Sequence, residues 1–410
     1  MLAGDVTAVL DGGALVVTGD NLANNIVITT GPEAGEVTIS GGKIAAQADS
    51  ETTVNGSVNP VTLAGFSGEI HLDAQGGDDQ VLVTNLRMEG SLEALLGEGD
   101  DTLSIQSNGP NDTDVVLNDG SSVAFGPARM GVFVSVNGGD GNDTLAIRNV
   151  KANGFLAFSG EAGNDTFVQV GAVAANNRLG GLTLNMGGGA DNVSVQRVRV
   201  LGNLIVDDDS GGNARVRIDN ATVYGDATIA TPDGSDQITL GTADQASAFV
   251  ANRLVVSANR GYDQIKLDNV DTQELVIYAG TGNNTISLTH VSADESLTIS
   301  AGDGADNVSL TAVVTDLLVM RTWRGNDKIV LDRVSAIDAF FDLFDGADEL
   351  VIDDSIFSQI TALFGVDDDE LTFGELTVVG TATFNGGDGI NTSTNLGGNS
   401  IGRLRLIGFA

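Results

Sequence analysis

The chain has 410 residues with no cysteine, 5 prolines and 55 glycines, and 19 Lys and Arg against 56 Asp and Glu give a formal net charge of −37. The lack of cysteine excludes a disulfide framework, a zinc ribbon and a thiolate nucleophile, and the acidity works against nucleic acid and anionic lipid as partners. A hydrophobic share of 41% with 18% charged residues is a folding composition, so the charge belongs on the surface of a chain that buries a core. No run of about 18 apolar residues is present, nor a basic segment leading into an apolar one at the start, so neither a membrane span nor an intact signal peptide is expected.

Internal repetition sets the organisation. The stretch GGDGNDTLAI at 138–147 recurs as GEGDDTLSI at 97–105, GTGNNTISL at 280–288, GDGADNVSL at 302–310, RGNDKIVL at 324–331 and DGADELVI at 345–352. The shared grammar is a glycine turn, an Asx residue and then alternating apolar positions. In chain order this Asx anchor falls at Asn24, Asn59, Asp79, Asp101, Ser121, Asp143, Asp165, Asp191, Ala214, Asp236, Asp263, Asn284, Asp306, Asp327, Asp348, Asp369 and Asn391. Of the 16 intervals between these 17 anchors, 13 are 20 to 23 residues long. The 35-residue interval after Asn24 marks an inserted loop near 41–58, so residues 1–58 read as N-terminal rungs with a cap and that loop. Residues 59–390 read as regular rungs, with bulges near 171–179 and 242–252 where intervals reach 26 and 27. After Asn391 the pattern decays to the polar Ser393 and Asn395, so 391–410 reads as a C-terminal cap on one continuous domain, 1–410.

Two residues after the anchor an apolar side chain stands in every repeat but the last (Ile26, Val81, Leu103, Leu145, Ile265, Leu350), and four after it usually does. A period of two predicts a strand. A second alternating pair follows later in each unit, as at Leu92 and Ala94, Leu156 and Phe158, Leu204 and Val206, and Leu297 and Ile299. One such unit cannot bury its own apolar face, so the units must stack, each strand pairing in parallel with its counterpart one coil along. The predicted fold class is all-β, a single-stranded parallel β-helix of about 17 rungs of 20–23 residues. The preference of parallel crossovers points to a right-handed coil. Helical readings fail on the absence of i, i+3, i+4 spacing and on a glycine break every ten residues or so.

The residues around Asp143, GGDGNDTLA, fit the nonapeptide G-G-x-G-x-D-x-U-x at every fixed position, and GDGADNVSL comes close. Here the chain resembles the repeats-in-toxin calcium proteins, and that resemblance implies calcium at the acidic turns. It is local: one such turn appears per 20 to 23 residues, whereas that family sets its nonapeptides in tandem. Calcium held by pairs on neighbouring rungs would fall to Asp140 with Asp143 and Asp165, to Asp78 and Asp79 with Asp100 and Asp101, and to Asp303 with Asp306 and Asp327. Aligned carboxylates about 4.8 Å apart would repel by about 1 kcal/mol per pair in water, and cations would relieve this. Against it, the anchor is Asp in 11 repeats, Asn in 4, Ser at 121 and Ala at 214. A turn needs only a short side chain that accepts a backbone hydrogen bond, and that explains the column more economically.

Other chemistry is thinly represented. The runs Asp207-Asp208-Asp209 and Asp367-Asp368-Asp369-Glu370 read as solvated corners. His71 and His290, the single Trp323 beside Arg321 and Arg324, and Tyr224, Tyr262 and Tyr278 fall in different rungs. No G-x-S-x-G, P-loop or H-E-x-x-H motif is present, so no catalytic residue is assigned. The threonines after the anchor at 102, 144, 166, 285 and 392 are interrupted by Gln80, Asn192, Asn307, Lys328 and Glu349, too ragged for an ice-binding face.

The opening DVTAVLDGGALVVTGDNLANNIVI, leading through TVNGSV and VTLAGFSGEIHLDAQGGDDQVLV, resembles the start of large repetitive surface or secreted proteins of planctomycete-type bacteria. Leu2-Ala3-Gly4-Asp5 resembles the end of the leader region those proteins carry. The resemblance implies an exported location, extracellular or on the cell surface, and transfers no catalytic residue. The sequence therefore reads as a non-enzymatic structural or adhesive rod with acidic turns as weak calcium sites, its partners being calcium and cell-envelope or extracellular macromolecules. The alternative is a carbohydrate-active β-helix enzyme of the polysaccharide lyase or glycoside hydrolase type, which would need a groove of convergent acids, arginine and aromatic residues.

Overall fold

A computed structural model describes residues 4–43, 51–86, 90–106, 115–117, 133–148, 150–171, 178–208, 211–231, 233–243 and 249–410. The chain is all-β, with no helix among the described residues, and its strands stack as parallel coils in a β-solenoid of about 13 turns. It divides into two compact units, Met1–Ser210 with Ala221–Tyr224, and Gly211–Asn220 with Gly225–Ala410.

In the first unit the chain begins antiparallel. Asp5–Asp11 pairs with Ala14–Thr18, and Asn25–Thr30 pairs with Glu36–Gly41, which pairs in turn with Val61–Ala64. From there the pairing is parallel and in register. The strand after each anchor runs Asn25–Thr30, Gln80–Thr84, Thr102–Gln106, Thr144–Arg148, Thr166–Val170, Asn192–Val200. A second face stacks Ala14–Thr18, Ile70–Asp73, Leu92–Glu98, Val134–Asp140, Val150–Ala162 and Arg178–Asn185. The register aligns Ile26, Val81, Leu103, Leu145, Phe167 and Val193 in one inward column, each at most 2% exposed. In-register pairing is enforced by the alternation itself, since a one-residue slip would turn this whole column out to water.

One anticipated anchor, Asn59, does not begin a rung. Gln80–Thr84 stacks directly on Asn25–Thr30, and the segment after Asn59 instead closes the antiparallel meander. Thr144–Arg148 stacks directly on Thr102–Gln106, and the anchor anticipated at Ser121 lies outside the described residues. The sequence at Asn59 keeps the Asx turn chemistry and alternation, which serve an antiparallel pair as well as a coil. The loops expected near 41–58, 171–179 and 242–252 fall partly outside the described residues, at 44–50, 172–177 and 244–248.

The second unit is more regular. Gln237–Leu240, Gln264–Tyr278, Thr285–Ser300, Asn307–Thr311, Lys328–Asp332, Glu349–Asp353, Glu370–Gly374 and Thr392–Gly397 form one continuous parallel series. Ile238, Ile265, Ile286, Val308, Ile329, Leu350 and Leu371 fill its inward column, each at most 1% exposed. The six coils from Asp263 to Asp369 bend a second time six residues after the anchor, where Asn269, His290, Ala312, Arg333, Asp354 and Glu375 all have φ between 44° and 55°. The last coil keeps this register, with Leu404 on Ala382 and Leu406 on Phe384, and both leucines are about 40% exposed.

Candidate functional site

The glycine turn places the anchor side chain inside the coil. Gly141 has a φ of +142°, and a Cβ there would collide with the Gly99 carbonyl of the preceding coil, so only glycine lets successive turns approach this closely. The same relation holds at Gly163 and Gly189. With the turns nested, each anchor lies over the next, and the anchors are 0 to 4% exposed.

The inner anchors form a hydrogen-bonded ladder. In the first unit the backbone N–H of Asn24 donates to Asp79 Oδ1 (2.6 Å), Asp79 to Asp101 (2.7 Å), Asp101 to Asp143 (2.9 Å), Asp143 to Asp165 (2.8 Å) and Asp165 to Asp191 (2.6 Å). In the second, Ala214 donates to Asp236 (2.8 Å), Asp236 to Asp263 (2.9 Å), Asp263 to Asn284 (3.0 Å), Asn284 to Asp306 (2.7 Å) and Asp306 to Asp327 (2.8 Å). It continues through Asp348 and Asp369 to Asn391. Each Oδ1 thus satisfies a buried donor that would otherwise go unpaired. A bond of this kind contributes about 0.5–1.5 kcal/mol net, and stranding its buried donor costs about 1–3 kcal/mol.

A second, outer ladder runs along the residue before the anchor, and its polarity is reversed. Asp100 N–H donates back to Asp78 Oδ1 (3.1 Å), Asn142 to Asp100 (2.8 Å), Asn164 to Asn142 (2.7 Å) and Ala190 to Asn164 (2.7 Å). In the second unit Asn213 accepts from Ser235, and from Asn283 onward an acceptor stands on every other coil, Asn283, Asn326 and Asp368 accepting from Ala305, Ala347 and Ile390. Asp78 and Asp100, anticipated as metal ligands, stand at this position; the ladder itself was not anticipated, and the Asp, Asn or Ser that precedes the anchor in many repeats was the available signal.

The anticipated metal residues divide between these layers. Asp79, Asp101, Asp143, Asp165, Asp306 and Asp327 are buried on the inner ladder. Asp78 and Asp100 belong to the outer one, and Asp140 and Asp303 are exposed, contributing their backbone carbonyls to Gly99 and Gly282. Among the described residues no group of three His, Cys, Asp or Glu side chains comes together in a form that could hold a metal ion. The repulsion anticipated along the column is offset at one oxygen of each carboxyl by the N–H it receives.

The other oxygen has no such partner. Oδ2 of Asp79, Asp101, Asp143, Asp165, Asp191, Asp263, Asp306, Asp348 and Asp369 is buried without a hydrogen bond. Burial, opposed by the N–H bond, pushes Asp79, Asp306 and Asp348 up to about 8, Asp263 and Asp369 to about 7, and Asp101, Asp143 and Asp165 to about 6. Asp327 rises by burial to about 6, held back by the Asp306 N–H and by the Thr322 hydroxyl. Where the anchor is Asn the second atom is a donor with somewhere to go. Asn284 Nδ2 reaches the carbonyls of Gly282 (3.1 Å), Ala301 (3.2 Å) and Gly280 (3.3 Å), and Asn391 Nδ2 that of Gly386 (2.9 Å).

Two lateral features carry the remaining chemistry. His71 lies between Glu69 (3.2 Å) and Glu93 (3.3 Å) in a shallow groove of about 400 Å³ that Leu95 and Phe133 also line. Trp323 stacks on Phe344 at 5.0 Å and 2°, with its Nε1 donating to Ser300 (3.2 Å). Arg324 beside it pairs with Asp345 at 3.6 Å, so this grouping is a packed turn with its own ion pair. His290 occupies a corner position, 3.7 Å from Asp268.

No family model, curated protein or solved structure matches the chain.

Proposed function

We propose that this chain is a non-catalytic β-solenoid scaffold, exported and presented to the cell envelope or to extracellular macromolecules. The observation that supports this reading is the use made of the repeated acids. The anchor carboxyls hold, through Oδ1, backbone donors of the neighbouring coil, and the side chains of the residues before the anchors do the same in the opposite direction, so the recurring grammar of the repeat is spent on stacking. The exported location rests on the resemblance of the repeats to secreted surface proteins. Weak calcium binding, as the turn motif implies, would involve the exposed acids such as Asp140 and Asp303.

The test is exposure of the purified protein to a panel of neutral and acidic polysaccharides, with release of reducing ends and of unsaturated uronates as readouts. A scaffold gives none and shows at most saturable binding. Turnover proportional to protein, and lost in His71→Ala, would replace this reading with that of a carbohydrate-active enzyme using the His71 groove.

A further inference from the structure

The inner ladder poses a question that its two kinds of anchor answer together. Asp263 and Asn284 are successive anchors in the second unit, and each uses Oδ1 to accept from the backbone N–H of the anchor before it, at 2.9 and 3.0 Å. Their second atoms therefore sit on the same side of equivalent turns, which pair through Arg260 and Thr281 and share positive φ at Asn259 and Gly280 and at Gly261 and Gly282. At Asn284 that atom is Nδ2, and carbonyl oxygens of its own turn, Gly280 and Gly282, and of Ala301 in the next coil surround it. At Asp263 the atom is Oδ2, which is buried and makes no hydrogen bond, on a residue 1% exposed. An ionised oxygen aimed at carbonyl oxygens is repelled by them, while a protonated one can donate as the amide does.

We propose that Asp263 is a proton-binding residue: its carboxyl carries a proton on Oδ2 and donates it to the carbonyl oxygens of its turn, as the Asn284 amide does one coil on. The ligand is the proton itself, and the consequence is a coil held more firmly in acid. The groups around it favour this. The neighbouring anchors are Asp236 before it and the uncharged Asn284 after it, with Asp306 one coil further. Asp236 adds repulsion to the burial that raises Asp263 to about 7. The remaining charged or titratable groups of these turns, Asp233, Arg260, Tyr262 and Asp303, are on the exposed side. The inference goes beyond the scaffold reading and stands whether or not that reading holds.

The experiment is equilibrium denaturant unfolding of the full chain and of Asp263→Asn at pH 4, 5.5 and 7, in chelator and again with added calcium. The amide reproduces the protonated acid at every pH, so the variant folds and matches the wild type at pH 4. Between the unfolded value of 3.8 and the folded value of about 7, the wild-type unfolding constant then rises relative to the variant by up to tenfold per pH unit. A wild type to variant ratio that does not change with pH, or a variant that fails to fold, overturns the proposal. So does a calcium-specific restoration of the wild type that the variant lacks, which would make the ligand a metal cation. As an independent readout, carboxyl infrared difference spectra of wild type minus variant at pH 5.5 contain a protonated-acid band, and its absence also overturns the proposal.

Discussion

An aspartate with one oxygen fastened to a neighbour's backbone and the other pressed into a turn is sensitive to both its length and its charge. Replacing Asp143 with Ala leaves the Asp101 N–H buried without an acceptor and should cost about 1–3 kcal/mol in denaturant unfolding, whereas Asp143→Asn keeps the acceptor and should cost little. Equal losses in the two variants would mean that the charge rather than the hydrogen bond matters there. The pH dependence follows from the raised values at Asp79, Asp306 and Asp348, which burial pushes from 3.8 to about 8. A carboxyl raised in the fold stabilises fully below its unfolded value and loses that contribution as pH climbs through its folded value. Melting temperature should therefore be highest near pH 4 and decline to about pH 8. Self-repulsion of an acidic chain pulls the same way, so Asp348→Asn is the control that separates the two: its decline should be shallower than that of the wild type. A melting temperature that climbs across this window would contradict the account.

At the scale of the strand and its corners, the alternation after each anchor was legible because burial on one face of a pleated strand imposes it. Ile286 and Ile329 are both fully buried, and Asp at either should cost several kcal/mol by burying an unpaired charge, measured as a shift in denaturant midpoint. The glycine corner was legible too, since close approach of backbones admits little else. The second corner was not. Its left-handed residue is Asn269, His290, Ala312, Arg333, Asp354 or Glu375, and the φ near 50° is imposed by the coils on either side, with no residue type in common. Ala312→Gly removes that conformational cost and should stabilise by about 0.5–1 kcal/mol. No change or a loss would place the strain elsewhere. Asn59 misled for the opposite reason: its turn chemistry is genuine, but the strand that follows it, Val61–Ala64, pairs antiparallel with Glu36–Gly41. The candidate site was half legible. The anchor column was visible as a column, yet its division into a buried ladder and an exposed one depends on a one-residue offset that composition does not distinguish.

For the molecule as a whole, the formal charge of −37 counts every acid as ionised. The inner aspartates are the ones least able to honour that count, and the exposed acids carry what a partner or cation would meet. A thermal melt of metal-stripped protein titrated with calcium, against magnesium at equal ionic strength, should show only a small rise confined to millimolar calcium. A large calcium-specific rise at micromolar concentration would return the inner carboxylates to the role of ligands. Among the described residues no helix is long and apolar enough to cross a membrane.

The opposed polarity of the two ladders bears on how either unit can come apart. An interior coil of the first unit, such as that of Asp143, gives a hydrogen bond forward from its anchor and another backward from the residue before it, and receives one from each side; from Asn283 onward in the second unit the forward bond recurs at every coil and the backward one at every other. Pulling such a coil out would strand groups on both of its neighbours at once, so a tear has no cheap place to begin in the middle of a stack. Loss of structure should instead travel inward from the ends like a zipper, and hydrogen exchange should be slowest at the central turns and graded toward the termini of each unit.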